Sequence, residues 1–140
     1  MEKDRLEIAK YRLSRAKEEL EMAKQSLQNN FLRVSLSNSY YSIFHAVRAL
    51  FSLEGINSKT HKGVIYLFNN HFIKKNLLSL KMLEILSEAF EMRLDADYED
   101  FYVVTREETL EQIENAEYFL NEIVIFIKKI YGVGQLIKFS

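Results

Sequence analysis

Asn38, Tyr41, His45 and Arg48 recur at intervals of three, four and three. On a helix that spacing lines an amide, a phenol, an imidazole and a guanidinium along one edge. These groups hydrogen-bond, stack and titrate, whereas a helix that only covers a core usually turns Lys and Glu outward. A second set, Arg93, Asp97 and Tyr98, ends a stripe that is apolar at Leu83, Leu86 and Phe90. A guanidinium can grip a phosphate, and aromatic rings can stack a base. With an imidazole as acid and base and a guanidinium stabilising a phosphorane-like transition state, such a set can also cut RNA without metal. The plainer alternatives are structural. Tyr41 and His45 can be satisfied polar groups on a helix buried on both sides. Arg93 and Asp97 can be an ion pair that holds a helix end, with Tyr98 packed over it. If that pair is largely buried, removing one partner costs about 3–5 kcal/mol.

These residues need helices to position them, and the apolar spacing supplies five. Leu6, Ala9, Leu13, Ala16, Leu20, Ala23 and Leu27 alternate steps of three and four, which predicts a first helix over about 4–28 ended by Asn29 and Asn30. A second helix spans about 31–54, with Tyr40, Ile43, Phe44, Val47, Leu50 and Phe51 as its apolar stripe and Gly55 just past its end. A short third helix runs from His61 to Ile73, capped by Ser58 or Thr60. The fourth spans about 78–97, and the stretch from Tyr98 to Val104 reads as a loop. TREE at 105–108 is a capping box that opens the last helix, carried by Leu110, Ile113, Ala116, Leu120, Ile123, Ile127 and Ile130 to about Lys129. The expected fold is all-α: an up-and-down antiparallel bundle of four long helices and one short one, over residues 1–131 as a single domain. Residues 132–140 then form a flexible tail.

Composition removes several classes of function. Among 140 residues there is no Cys and no Pro, so disulfides and thiolate metal sites are excluded and a reducing, cytoplasmic setting is the simple expectation. The longest apolar run, Ile123 to Ile127, is far too short for a membrane span, and the charged start MEKDRLEIAK is no signal peptide. There is no Gly-rich phosphate loop and no HExxH, and the three His residues are not spaced as a metal site, so neither cofactor nor metal is expected. The net charge of −1 argues against a strong non-specific grip on nucleic acid. Its distribution is less even. Residues 55–83 hold five Lys and no acid, while residues 91–122 hold eleven acids against Arg93 and Arg106. The Lys-rich segment is either a solvated face or a surface for phosphate or an acidic partner.

Three motifs, SYYSIFHAVRALF at 39–51, THKGV at 60–64 and RLDADY at 93–98, occur in an order and spacing that resemble the HEPN domain (higher eukaryote and prokaryote nucleotide-binding) in its small single-domain prokaryotic branch. The resemblance covers nearly the whole chain. It implies a helical bundle, commonly a homodimer, often encoded beside a minimal nucleotidyltransferase as toxin and antitoxin. It also implies a metal-independent ribonuclease motif, an Arg followed after a short spacer by a His. Arg93 matches the Arg. No His follows it, and Asp97 and Tyr98 stand in that place. Either His45 or His61 supplies the imidazole from another helix, or the domain binds without cutting. His45, in the row with Tyr41 and Arg48, is the expected acid–base group beside Arg93. Asn38, Tyr41, Arg48, His61, Asp97 and Tyr98 are the expected nucleotide- or RNA-binding residues. A non-catalytic homodimeric interaction scaffold is the competing reading.

Overall fold

The structure, a computed structural model, describes residues 2–132. They form α1 (Glu2–Gln28), α2 (Leu32–Glu54), α3 (His61–Phe68), α4 (Leu80–Tyr98) and α5 (Arg106–Tyr131), with no strand among the described residues. A π-helical turn, Asn69–Ile73, continues α3 directly. The expected all-α bundle is therefore what forms. The short helix reaches Ile73 as its spacing predicts, but its last turn is wider than an α-helix. Residues 133–140, most of the expected tail, lie outside the described residues.

The first two helices make a hairpin whose register is written in side chains. Ala9, Leu13, Ala16, Leu20 and Ala23 are all buried, and the small alanines let α2 come close. Ser35 and Ser42 of α2 donate to the carbonyls of Ala23 and Ala16 at 2.7 and 2.8 Å, and Arg12 donates to the carbonyl of Arg48 at 3.0 Å. The partner number falls on α1 as it rises on α2, so the pair is antiparallel. Asn30, at φ +64°, makes the left-handed turn between them. Gly55, at φ +68°, ends α2 with its N–H on the Phe51 carbonyl.

Two further neighbouring pairs are oriented in the same way. Gln112 donates to Glu88 at 2.9 Å while Lys81 lies over the Tyr118 ring, so α4 and α5 are antiparallel. Tyr40 meets Phe90, and Arg33 meets the Ala96 carbonyl, so α2 and α4 are antiparallel too. The core joins all the helices. Phe72 packs against Phe51, Phe68 and Phe126, and Phe68 against Phe119, which ties the short helix to α2 and α5. Each such ring fully buried contributes about 1.5–3 kcal/mol.

Two expected core positions on α5 lie outside it. Leu110 and Ile130 are 47% and 51% exposed. A strict seven-residue pattern drifts around a straight helix of 3.6 residues per turn. Over the length of α5 the buried face has moved to Thr109 and Gln112 at one end and Phe126 and Ile127 at the other. Half of the capping box forms: Thr105 accepts from the Glu108 N–H at 3.1 Å, while the buried Glu108 Oε2 has no hydrogen-bond partner among the described residues. The helix runs on to Tyr131, where Gly132 turns left-handed.

Candidate functional site

The start of α3 is set by its cap. Thr60 is extended and accepts from the Gly63 N–H at 2.9 Å, so His61 is the first helical residue. A Cβ on Gly63 would lie 2.3 Å from the Ser58 hydroxyl and 2.8 Å from the Thr60 hydroxyl, so a side chain there would displace the hydroxyls that cap the helix. The cap presents the His61 ring to α2 and α4. It stacks on Phe44 at 4.5 Å and 16°, on Phe90 at 5.9 Å and 18°, and more loosely on Tyr40. The Tyr40 hydroxyl hydrogen-bonds His61 Nδ1. Burial drives the Tyr40 phenol pKa well up against the opposing pull of Arg93, so the hydroxyl keeps its proton at neutral pH. His61 Nε2 makes no hydrogen bond to any described residue.

Burial, then the charges of Arg93 and Arg48, lower the pKa of His61 below the usual imidazole value. It is therefore neutral at pH 7 and can accept a proton as well as pass one. Arg93 comes from α4. Its guanidinium lies 5.0 Å over the Tyr41 ring and 5.6 Å from the Tyr40 ring centre. Its NH2 group is 3.4 Å from Asp97 Oδ2, an ion pair without hydrogen-bond geometry. The Arg93 side chain is only 17% exposed, and its buried Nε has no partner. A guanidinium has five N–H donors, and here the described residues satisfy none of them. Buried donors are almost always paired, so this arrangement suits an acceptor supplied from outside. Arg48, over Phe44 at 5.8 Å, adds a second cation close enough to act on His61.

The candidate residues divide between two edges of α2. Tyr41, Arg48, His61, Arg93 and Asp97 come together around the His61 ring and the Arg93 guanidinium. Asn38 faces α1, where its amide donates to Glu19 at 3.0 Å and accepts from Ser26 at 3.2 Å. His45 is half-buried, and after burial itself the charges acting on it are Arg15, Glu19, Arg48 and Arg12. Three of those four lie on α1, so the imidazole placed beside Arg93 is that of His61. Tyr98 is the last residue of α4, 74% exposed, and the loop expected from Tyr98 onward begins at Glu99. The sequence marks Tyr40, Phe44 and Phe90 only as apolar stripe positions, yet they build the His61 pocket. The available signal is the run of rings at 40, 41 and 44, together with Phe90 one turn before Arg93. Among the described residues no group of three or more His, Asp or Glu side chains could hold a metal ion.

This geometry defines a small helical domain with a cationic, aromatic cluster where its second, third and fourth helices meet. The model of the HEPN domain matches residues 9–130, and the chain belongs to that family. It is 36% identical over 117 residues to "Putative toxin MJ0142" of Methanocaldococcus jannaschii, covering 84% of this chain and 75% of that one. It is 32% identical over 116 residues to a UPF0332 protein of Thermotoga maritima, covering 83% and 88%. A second Methanocaldococcus jannaschii protein, "Putative toxin MJ0605", is 32% identical over 115 residues, covering 82% and 85%.

Proposed function

We propose that this chain is a toxin-like HEPN module that binds the phosphate of a nucleotide or RNA in the Arg93–His61 cleft. The observation that carries the reading is Arg93: nearly buried, held over two tyrosine rings, and without a hydrogen bond among the described residues. A phosphate there gains a bidentate, desolvated cation, with Arg48 close by. Tyr41, Phe44 and His61 are half-buried, and a base would meet the exposed edges of these rings. The toxin names of two relatives support a partner of antitoxin type, for which a minimal nucleotidyltransferase is the proposed chemistry. The proposed assembly is a homodimer. Phe31, Val34, Phe101 and Val103 lie exposed at the start of α2 and in the 99–104 loop, an apolar surface suited to a second copy.

Metal-free RNA cleavage is the second reading, favoured by one further observation. His61 is kept neutral beside Arg93 and fixed at Nδ1 by Tyr40, which orients Nε2 for proton transfer. The test is a pair of assays on the purified protein in EDTA. Calorimetry with adenosine monophosphate should give binding that Arg93→Ala removes, and a structured RNA should be cut by wild type but not by His61→Gln. Binding without cutting restricts the function to recognition. If neither occurs and the protein still captures a nucleotidyltransferase, the scaffold reading replaces both.

A further inference from the structure

The element formed by α3 and the π turn has two faces that are both spaced at four. Val64, Phe68 and Phe72 are buried, at 2%, 0% and 1% exposure. Lys62, Tyr66, Asn70 and Lys74 stand two positions off that row, with both lysines exposed and Tyr66 65% exposed. A plain α-helix turns a four-residue row steadily sideways, since its period is 3.6. The π turn, whose Lys74 N–H reaches back five residues to the Asn69 carbonyl at 2.9 Å, takes up the difference. Phe72 stays in the core and Lys62 and Lys74 both stay exposed. The two lysines are then about 18 Å apart along the axis. Lys59 and Lys75 flank these residues in sequence, and residues 55–83 contain no acid at all. None of these four lysine side chains makes an ion pair or hydrogen bond among the described residues, in contrast to Lys10 and Lys24 of α1. His61 opens the same helix one position before Lys62, on the side that faces α2 and α4, and its neighbours there are Arg93 and Arg48.

We propose that this face of α3 and its π turn is a track for a single-stranded RNA, leading a few nucleotides of its backbone into the Arg93–His61 cleft. The proposal rests on the cleft reading above and adds the path by which a strand reaches it. Lysines hold successive phosphates, and Tyr66 stacks a base between them, the pairing that single strands use without sequence preference. A net charge of −1 does not oppose this. The acids are concentrated in 91–122, and their field is screened within about 8 Å at physiological salt.

The test is fluorescence anisotropy with a labelled twelve-nucleotide oligouridylate between 50 and 200 mM salt, run beside calorimetry with adenosine monophosphate. The variants are Lys62→Gln/Lys74→Gln, Tyr66→Ala, Tyr66→Phe and Arg93→Ala, with Lys128→Gln/Lys129→Gln at the end of α5 as the control. All but Arg93 are solvent-exposed or half-exposed positions whose change leaves folding intact. The double Lys62/Lys74 variant should lower the slope of log affinity against log salt by about 1.4, about 0.7 for each phosphate no longer neutralised. Tyr66→Ala should weaken oligonucleotide binding about tenfold, with Tyr66→Phe retaining it. Mononucleotide binding should be unchanged in all of these and lost in Arg93→Ala. If the oligonucleotide binds but the Lys62/Lys74 and Tyr66 variants match wild type, the track is wrong and the cleft reading stands. If those variants lose binding while Arg93→Ala does not, the cleft reading fails and the track survives. If polyglutamate displaces the oligonucleotide equally well and Tyr66→Ala has no effect, the face serves an acidic protein and the proposal is overturned. If wild type binds neither probe, both proposals fall.

Discussion

The two long edges of α2 carry similar residue types and are built in opposite ways. Facing α1, Asn38 has both ends of its amide bonded, and Ser35 and Ser42 donate to backbone carbonyls. Facing α4, the Arg93 guanidinium lies on rings with no hydrogen bond, and His61 is held at one nitrogen only. The first edge uses its polar groups to set register. The second keeps donors open inside a partly desolvated cleft, where an external anion gains most. Residue type alone does not distinguish a structural amide from a binding guanidinium, but the count of satisfied donors does.

The sharpest way to break that comparison is to remove a group from each edge and read both binding and stability. Arg93→Ala should weaken nucleotide binding about 10- to 100-fold, the usual worth of a hydrogen-bonded charge. Its melting temperature should stay the same or rise, since a desolvated cation without hydrogen bonds is deleted. A clear fall in melting temperature with unchanged binding would reverse the assignment. Asn38→Ala should do the opposite. It takes a bond from Glu19, which keeps Arg15, and leaves the Ser26 hydroxyl without its acceptor; it should cost about 1–2 kcal/mol in urea unfolding and leave nucleotide affinity alone.

A smaller effect belongs to Asp97. Its side chain is 37% exposed and its approach to Arg93 lacks hydrogen-bond geometry, so the large cost of breaking a buried pair does not apply. Asp97→Ala should cost no more than about 1 kcal/mol. It should tighten phosphate binding by removing a competing carboxylate. A loss of affinity would mean that Asp97 orients Arg93 rather than competing for it.

The smallest effect is read in pH. His45 is lowered by burial and then by Arg15, His61 by burial and then by Arg93. In both cases the unfolded chain takes up the proton first as pH falls. Their contribution to stability is full above the unfolded imidazole value of about 6.5 and is lost as pH drops through the lower folded values. Melting temperature should therefore fall from pH 7 to pH 5, less steeply in His45→Gln and in His61→Gln. Phosphate in the cleft should favour the protonated form of His61 and so remove its share of the pH dependence, leaving that of His45. Equal sensitivity of both histidines to phosphate would erase the distinction between the edges.

Much of the fold was legible because helix ends and seams are local. Asn30, Gly55, Thr60 and Thr105 mark boundaries by their own backbone and capping chemistry. The seam of α1 is buried in its central turns as its spacing requires. The site was legible only in part. Tyr41, His45 and Arg48 lie along one side of α2, but which neighbour faces each of them depends on how α1 and α4 pack against that helix. That long-range fact puts His61 rather than His45 beside Arg93. It also turns Tyr40, Phe44 and Phe90 from stripe positions into the walls of the pocket. The π turn was invisible for a related reason, because a four-residue spacing over so short a stretch reads equally as an α-helix.

The most direct measurement is a titration of the protein with adenosine monophosphate, followed by the nuclear magnetic resonance signals of the histidine rings and of the arginine Nε–H groups. The account predicts that the His61 ring and Arg93 Nε–H signals shift together and saturate at one affinity. The His45 ring and the Asn38 side-chain amide should stay in place. A saturating shift at His45 or Asn38, with His61 and Arg93 unmoved, would contradict it.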